Sequence, residues 1–518
     1  GGQEFDRIAL RNGMLPDASV RLKASIRYAL EEGKGEGHTC LPREELLDFL
    51  TEKGDFDRQK IETTIDNLLR RELLIMGPDD TIYLKDMYAF EWEGAALLAG
   101  LLKAKADKPD MRGVFNFLSK TSKIKYTDEQ LAAIRGVFLT PVSIITGGPG
   151  TGKTTTLRAL ISIADRLGWS LRIAAPTGRA AKRASESAGR EAETVHRLLE
   201  YKPKGFLRNR ERPLDVKMLI IDEMSMVDAQ LFHAILSATK QGTHLVMIGD
   251  TDQLESVGPG AVLSELVKCR KVPVFRLTQI IRQGKGSSII PAAHALINGQ
   301  MPVIDNDPKG DLFFVEEKDS DKASEKIVDL LTRRLPSYYK INPADIQVLT
   351  PMHRGLIGTQ ELNDRIRSVL NPNAGQGFQP GDRVMQTENN YELNVFNGDW
   401  GYVVKRDDEK LTIDFGRIVE YPLKQESQLT FAYAVTIHKS QGSEYKAVIL
   451  PVSKSHFIML GRNLFYTAFT RAKKLLVLVG DPDALAIAVS TMRMTFRHTN
   501  LALFIQNRLG NQRNTSQE

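Results

Sequence analysis

Apolar residues recur at helical spacing through residues 20–30, 43–50 and 59–69, the pattern of helices that bury one face. The apolar run Leu73-Leu74-Ile75-Met76 then meets Pro78-Asp79-Asp80 and Thr81-Ile82-Tyr83-Leu84, which reads as two strands joined by a turn. Three helices and a strand pair predict a mainly helical, winged-helix-like domain over residues 1–122. It carries no catalytic motif. Its plainer reading is a scaffold packed on the rest; the other is a surface for nucleic acid or a partner. Helical residues 91–104 and the basic segment 120–125 lead out of it.

From Tyr126 the pattern changes to short apolar strands alternating with helices, at residues 142–146, 171–175, 218–221 and 245–248, and again at 346–350, 447–451 and 475–479. Strands this apolar, feeding helices, predict parallel sheets covered on both faces. The fold class is therefore α/β with two lobes: residues 123–270, and residues 271–380 with 430–505. Between the two parts of the second lobe, residues 381–429 read as a small all-β insert, with strands at 383–386, 402–405 and 411–415 separated by Asn397-Gly398-Asp399 and Asp407-Asp408-Glu409-Lys410 turns. Residues 506–518 are polar and expected to be a disordered tail.

Composition adds little. The 518 residues are 42% hydrophobic and 26% charged, ordinary for a globular protein, and only Cys40 and Cys269 are present. Two cysteines make no disulfide framework or zinc site, and a reducing cytoplasm is expected. No apolar stretch reaches the ~18 residues a membrane span needs. The net charge of +6 suits a polyanionic partner without identifying one.

Gly147-Gly148-Pro149-Gly150-Thr151-Gly152-Lys153-Thr154 matches the phosphate loop G-x-x-x-x-G-K-[ST], with a strand before it and a helix after it. Its glycines let backbone N–H groups face phosphate, and the helix N-terminus adds a favourable dipole. Gly148, Pro149, Gly150, Thr151, Gly152, Lys153, Thr154 and Thr155 are thus expected at ATP, with Lys153 on the β- and γ-phosphates and the Thr154 hydroxyl on Mg²⁺. Met218-Leu219-Ile220-Ile221-Asp222-Glu223 delivers two acids to a strand end. Asp222 would hold the magnesium and Glu223 would orient or deprotonate water. Gln253, just past residues 245–248, is a neutral amide that can sense the γ-phosphate. Arg282 and Arg471, beside second-lobe elements, offer guanidinium groups suited to phosphoryl transfer. If both come from the second lobe, the site closes only when the lobes meet.

Further residues follow successive strands as a track would. Pro176, Thr177 and Arg179, then Thr194 and His196, belong to the first lobe; Thr350, His353, Thr436, His438, Lys439 and Ser440 belong to the second. Hydroxyls and scattered cations suit phosphate contacts that carry no sequence information. Each alone would pass as a turn or helix cap. A basic, aromatic run, Tyr201-Lys202-Pro203-Lys204-Gly205-Phe206-Leu207-Arg208-Asn209-Arg210, lies within an inserted stretch at about 197–215. It is either an inserted hairpin or a solvated loop.

These motifs occur in the order found in superfamily 1 helicases. The phosphate loop, Ile221-Asp222-Glu223, Gly249-Asp250-Thr251-Asp252-Gln253-Leu254, Thr436-Ile437-His438-Lys439-Ser440-Gln441-Gly442-Ser443-Glu444 and Tyr466-Thr467-Ala468-Phe469-Thr470-Arg471-Ala472 together resemble the RecD type, in particular its standalone bacterial members. Ala175-Pro176-Thr177-Gly178-Arg179, Thr194-Val195-His196 and Phe396-Asn397-Gly398-Asp399 strengthen that resemblance. It implies two RecA-like lobes, a β-hairpin in the first and an SH3-like insert in the second. The activity it implies is ATP-dependent 5′→3′ translocation on single-stranded DNA with duplex unwinding, in DNA repair or recombination. By position Gln130 resembles the glutamine that reads adenine; the alternative is an exposed helical side chain. The hairpin becomes a strand-separating pin, in which Phe206 either stacks on a base or anchors the hairpin. Partners implied are single-stranded and tailed duplex DNA, with repair or single-strand-binding proteins beside them; a monomer is expected. Rival readings are a translocase that unwinds poorly, an RNA helicase, and a regulatory ATPase indifferent to nucleic acid.

Overall fold

A computed structural model describes residues 18–281, 286–456, 459–492 and 496–510. The first α/β sheet has six strands in the order Val274–Leu277, Val142–Gly147, His244–Gly249, Met218–Ile221, Leu171–Ala175 and Glu193–Thr194, every neighbouring pair parallel. Successive side chains of a strand point to opposite faces, and here both faces are apolar. Ile145, Ile173, Ile220, Val246 and Ile248 join one core with the helices Asp128–Leu139 and Lys153–Leu167. Ile144, Ala174, Leu219, Ile221, Leu245 and Met247 join the core on the other side with Leu231, Phe232 and Ile235 of the helix Ala229–Ser237.

That second core does not stop at the lobe. It runs on through Leu98, Tyr83, Ile65 and Leu47 of the N-terminal region. There the helices Ala18–Gly35, Arg43–Gly54 and Arg58–Arg70 carry a three-stranded antiparallel sheet of Cys40–Pro42, Leu74–Gly77 and Thr81–Leu84. The helix Lys85–Lys103 then packs on Ala229–Ser237, with Gly94 bringing its backbone close to the Phe232 ring. The N-terminal region is thus built into lobe one as a scaffold.

The second sheet is also parallel throughout, in the order Leu312–Glu316, Ala472–Gly480, Tyr445–Val452, Ile346–Thr350 and Ala434–Thr436. It too is buried on both faces. The insert is a five-stranded antiparallel sheet, Ile418–Pro422, Lys410–Asp414, Trp400–Arg406, Arg383–Gln386 and Leu429–Phe431, around Val384, Val403, Leu411, Ile413 and Tyr421.

Two segments depart from the sequence expectation. Val274–Leu277, assigned above to the second lobe, pairs with Val142–Gly147 as the edge strand of lobe one; three of its four residues are apolar, but only Leu277 is fully buried. The expected tail from 506 begins inside a helix, Leu501–Leu509, whose Leu501, Ala502, Phe504 and Ile505 complete the N-terminal core; residues 511–518 lie outside the described residues. Among the described residues no helix is long and apolar enough to cross a membrane.

One buried acid fastens this returning segment. Glu91 is 1% exposed and accepts hydrogen bonds from the hydroxyls of Thr39 (2.9 Å), Tyr83 (2.6 Å) and Thr499, and from the Asn500 N–H (3.3 Å). Burial raises its pKa, and the hydrogen bonds only partly offset that. Deleting such an acceptor leaves several buried donors unpaired. Glu91→Ala is therefore expected to lower unfolding stability by about 3 kcal/mol and to expose Leu501–Leu509 to protease, with Glu91→Gln milder on both. Urea denaturation with limited proteolysis checks this.

Candidate nucleotide site and nucleic-acid track

The strand Val142–Gly147 ends in a loop whose Gly150 and Gly152 have φ of +73° and +90°, a region costly for residues with a Cβ. The helix Lys153–Leu167 starts directly after, with no acidic residue in its first turn to oppose an anion. Gly148 through Thr155 line one cleft of about 1500 Å³. Thr154 is exposed there, Lys153 Nζ donates to the Gly147 carbonyl at 2.5 Å, and Thr151 donates to the Gly148 carbonyl at 2.7 Å. Gln130 is only 1% exposed, which removes the alternative of a solvated side chain. Its Oε1 accepts the Thr127 N–H at 2.9 Å and its Nε2 donates to the Gly152 carbonyl at 3.3 Å, so the amide braces the loop from behind.

Asp222 and Glu223 leave the end of Met218–Ile221 and line the same cleft. Glu223 has a left-handed backbone (φ +58°), a strained conformation for such a residue, while its N–H donates to Asp222 Oδ1 at 2.8 Å. Burial, then the Glu223 charge, raises the Asp222 pKa. Burial would raise Glu223 as well, but Arg183, Arg471 and Lys153 together hold it low. The pair is thus divided, with the charge favoured on Glu223.

The opposite wall comes from the second sheet. Arg471 is 5% exposed; its Nε donates to the Thr467 carbonyl (3.2 Å), Nη1 to the Ser443 carbonyl (2.8 Å) and Nη2 to Gln253 Oε1 across the seam (3.4 Å). Gln253 Nε2 returns a bond to Thr470 Oγ1 at 2.8 Å. Around this pair the Tyr466 hydroxyl donates to Asp250 (2.5 Å), Asn463 to the Asp252 carbonyl (3.0 Å) and Gln441 to the Leu254 and Glu255 carbonyls (both 3.0 Å). His294 Nε2 reaches the Pro149 carbonyl at 2.9 Å. Arg282 lies outside the described residues.

The expected track residues divide into four groups. Thr177 and Thr194 are half-buried N-caps, accepting the Ala180 and Arg197 N–H groups, and Thr436 accepts the Lys439 N–H. Pro176, His438 and exposed His353 lie at the same strand ends, with His353 Nδ1 at 2.9 Å from Thr359 Oγ1. Thr350 and Ser440 correct the expectation, because both are 0% exposed and their hydroxyls donate to the Ile357 and Ile437 carbonyls. They shape turns rather than face a strand.

Arg179, Lys439 and His196 turn toward the insert. Arg179 lies 4.0 Å above the Trp400 ring and donates to the Trp400 carbonyl at 2.5 Å, while Arg383 covers the same ring at 4.2 Å. Lys439 Nζ donates to Asn397 Oδ1 at 2.5 Å. His196 stacks on Phe396 (5.3 Å) and contacts Phe206, Tyr201 and Tyr391. The expected hairpin is present as Tyr201–Lys202 paired with Gly205–Phe206, and Tyr201 stacks on Tyr391 of the insert at 4.0 Å. Phe206 sits within this ring cluster and against the lobe core, in the anchoring role.

The sequence is similar to known proteins. The AAA domain family matches residues 125–311, the UvrD-like helicase C-terminal domain matches 431–479, and the SH3 domain of ATP-dependent RecD-like DNA helicases matches 362–415. The ATP-dependent RecD2 DNA helicase of Deinococcus radiodurans is 35% identical over 507 residues, covering 93% of this chain and 68% of that protein. The chain belongs to the RecD-type ATP-dependent DNA helicases. The RecD subunit of the Mycobacterium tuberculosis RecBCD enzyme is 29% identical over 491 residues, covering 84% of this helicase and 82% of the subunit. Among solved structures, Bacteroides Pif1 helicase in complex with ADP-AlF3 and ssDNA aligns with 69% of this helicase and 92% of its own chain, at 22% identity and a TM-score of 0.43.

The residues of the helicase's cleft and seam that were not singled out from sequence include Arg183, Gln441, Asn463, Tyr466 and His294. Tyr466 stood in the run quoted above with no role of its own. Arg183 follows Arg179 by four positions, one helical turn along the same face. His294 carried no local signal.

Burial lowers the His196 pKa below its ordinary 6.5, so the neutral ring is the one that fits among the aromatics. A folded-state pKa below the unfolded one adds stability above pH 6.5 that is lost as pH falls through the folded value. His196→Phe is expected to flatten that part of the acid sensitivity below pH 6.5. Urea midpoints of both proteins across this range are the check, and parallel curves would refute it.

Proposed function

We propose that this helicase hydrolyses ATP in the cleft between its two lobes and uses lobe closure to move 5′→3′ along single-stranded DNA, opening duplex ahead of it, in DNA repair or recombination. The observation that carries the reading is the direct contact of Gln253 from lobe one with Thr470 and Arg471 from lobe two, in the cleft that the phosphate loop also lines. A triphosphate bound there touches both lobes, so its presence and hydrolysis bias their separation. The direction and the biological setting follow the RecD family.

In this reading Lys153 and the backbone N–H groups of the phosphate loop hold the β- and γ-phosphates. Glu223, the more acidic of the two carboxyls, orients the attacking water, and Arg471 with Gln253 meets the charge that develops on the phosphoryl group. Arg282 is proposed as a second arginine of this kind. The Thr154 hydroxyl and the Asp222 carboxylate are hard oxygen donors on one cleft wall, a fit for Mg²⁺ completed by phosphate and water. When bound, that ion neutralises phosphate charge. Gln130 supports the loop at whose edge the adenine would lie.

The proposed strand path crosses the ends of both sheets, past Pro176, Thr177, Thr194, His353, Thr436 and His438. The insert closes over it through Arg179, Lys439 and His196, and the Tyr201–Phe206 hairpin stands beside the insert as the separating pin.

Strand displacement on duplexes tailed at either end, with and without ATP, tests direction and activity together. Only the 5′-tailed duplex is expected to open. Lys153→Ala should reduce hydrolysis about 100-fold or more while single-stranded binding persists, and Arg471→Ala about 1000-fold. Unwinding by Lys153→Ala at the wild-type rate would refute the motor.

A further inference from the structure

Arg183 is the one side chain among the described residues that an ion pair ties to Glu223. It projects from the helix Gly178–Ala188, which starts immediately after Pro176-Thr177. Its Nη2 pairs with Glu223 in the nucleotide cleft. Its Nη1 donates 3.0 Å across the seam to the carbonyl of Gly442, and its Nε lies 3.7 Å from Glu444. Gly442 and Glu444 close the lobe-two segment that begins at Thr436 and contains His438 and Lys439. The same glycine faces the start of the arginine's own helix: a Cβ on Gly442, whose φ is +80°, would lie 2.8 Å from Thr177 Oγ1. One guanidinium therefore touches the hydrolytic carboxylate at one end and the proposed strand-holding segment at the other.

The chemistry of that placement is competitive. A carboxylate whose lone pairs are held by a guanidinium is a poorer acceptor for the proton of an attacking water. Glu444 is a second carboxylate within reach of the same guanidinium, and Lys473 lies 3.8 Å from it. Arginine stays charged in either pairing, so the question is only which acid holds it. A strand pressing on the Thr436–Glu444 segment shifts the Gly442 carbonyl and the Glu444 carboxylate together, since they are two residues apart.

We propose that Arg183 is a positioning residue that couples strand occupancy to hydrolysis: without DNA it restrains Glu223, and strand binding at the Thr436–Glu444 segment draws it toward Glu444 and releases Glu223 to orient water. This rests on the function proposed above, with Glu223 as the water-orienting acid.

The test compares ATP hydrolysis with and without an oligo-dT strand in wild type, Arg183→Gln, Arg183→Lys and Glu444→Gln, with strand affinity from fluorescence anisotropy. Arg183→Gln is expected to raise strand-free hydrolysis about threefold or more and to shrink the stimulation ratio by a similar factor, while the strand Kd changes less than about twofold. Arg183→Lys, which keeps the charge but not the forked contact, should fall between Arg183→Gln and wild type. Glu444→Gln removes the competing acid, so it should lower the stimulated rate more than the strand-free rate. The proposal is overturned if Arg183→Gln lowers both rates by one factor. If Arg183→Gln does not fold, an unchanged stimulation ratio in Glu444→Gln overturns it instead. Failure of the underlying reading looks different: wild type would then show no stimulation by the strand, or Glu223→Gln would hydrolyse ATP normally.

Discussion

The guanidinium of Arg471 cannot shed its charge, and burying it at the junction of two lobes constrains everything around it. Its N–H groups must all find acceptors. Three are groups of its own lobe, the Thr467 and Ser443 carbonyls and the Thr470 hydroxyl, and one is the Gln253 amide of the other. Burial and the nearby Arg183 charge depress its pKa, and Glu223 and Glu444 work in the other direction. The lobes thus meet where charge can be satisfied. Further contacts are of the same kind: Tyr466 to Asp250, Asn463 to the Asp252 carbonyl, Gln441 to Leu254 and Glu255, beside Leu254 packed on the core of lobe two. Each such bond is worth about 1 kcal/mol net, because water can replace either partner. The sheets themselves are sealed by separate apolar cores. Rigid lobes joined by an exchangeable polar seam are what a closing and reopening cleft requires.

Much of this was legible in the chain. Strands such as Met218–Ile221 and His244–Gly249 are buried on every residue and carry unbroken apolar runs because both faces of their sheet are covered, and that signal is local. So is the phosphate loop, where chemistry, strand and helix are contiguous. Val274–Leu277 is apolar at three of its four positions, and what escaped was its pairing with Val142–Gly147, which no local pattern records. Leu501–Leu509 escaped because its core lies in residues hundreds of positions earlier. The residues of the site that were missed share that cause. Arg183 meets Gly442 across 259 positions and Tyr466 meets Asp250 across 216. Pattern and spacing carry no trace of such pairs.

The track residues show a subtler limit. Thr177, Thr194 and Thr436 were chosen for their hydroxyls, yet each hydroxyl accepts a backbone N–H three residues on and fixes a turn. Thr350 and Ser440 go further and are fully enclosed. A short hydroxyl side chain at a strand end serves the turn first. What such turns hold in place is the backbone and the neighbouring groups, and here those neighbours converge on the insert. Phe396 meets His196, Asn397 meets Lys439 and Trp400 lies between Arg179 and Arg383. The run from Phe396 to Trp400 is therefore a node joining both lobes and the insert, and a substitution there changes lobe geometry as well as the insert.

The chain's path limits how lobe two can move. It leaves lobe one past Thr278 and Gln279, whose N–H groups both donate to Glu129, and the Ile281 N–H donates to the Gly150 carbonyl in the phosphate loop itself. It comes back through Arg497, which donates to the Gly258 and Gly260 carbonyls of lobe one at 2.9 Å, and through Thr499 and Asn500, bound to Glu91 in the scaffold that shares lobe one's core. Lobe two is thus moored to the same rigid body at both ends. Two fixed crossings remove most translations and leave rotation about the line between them as the soft motion. One crossing is bonded to the phosphate loop, so the axis passes beside the nucleotide, and small changes at the triphosphate become larger displacements at the far side of lobe two. The lever arm follows from where the chain crosses, whatever residues line the track.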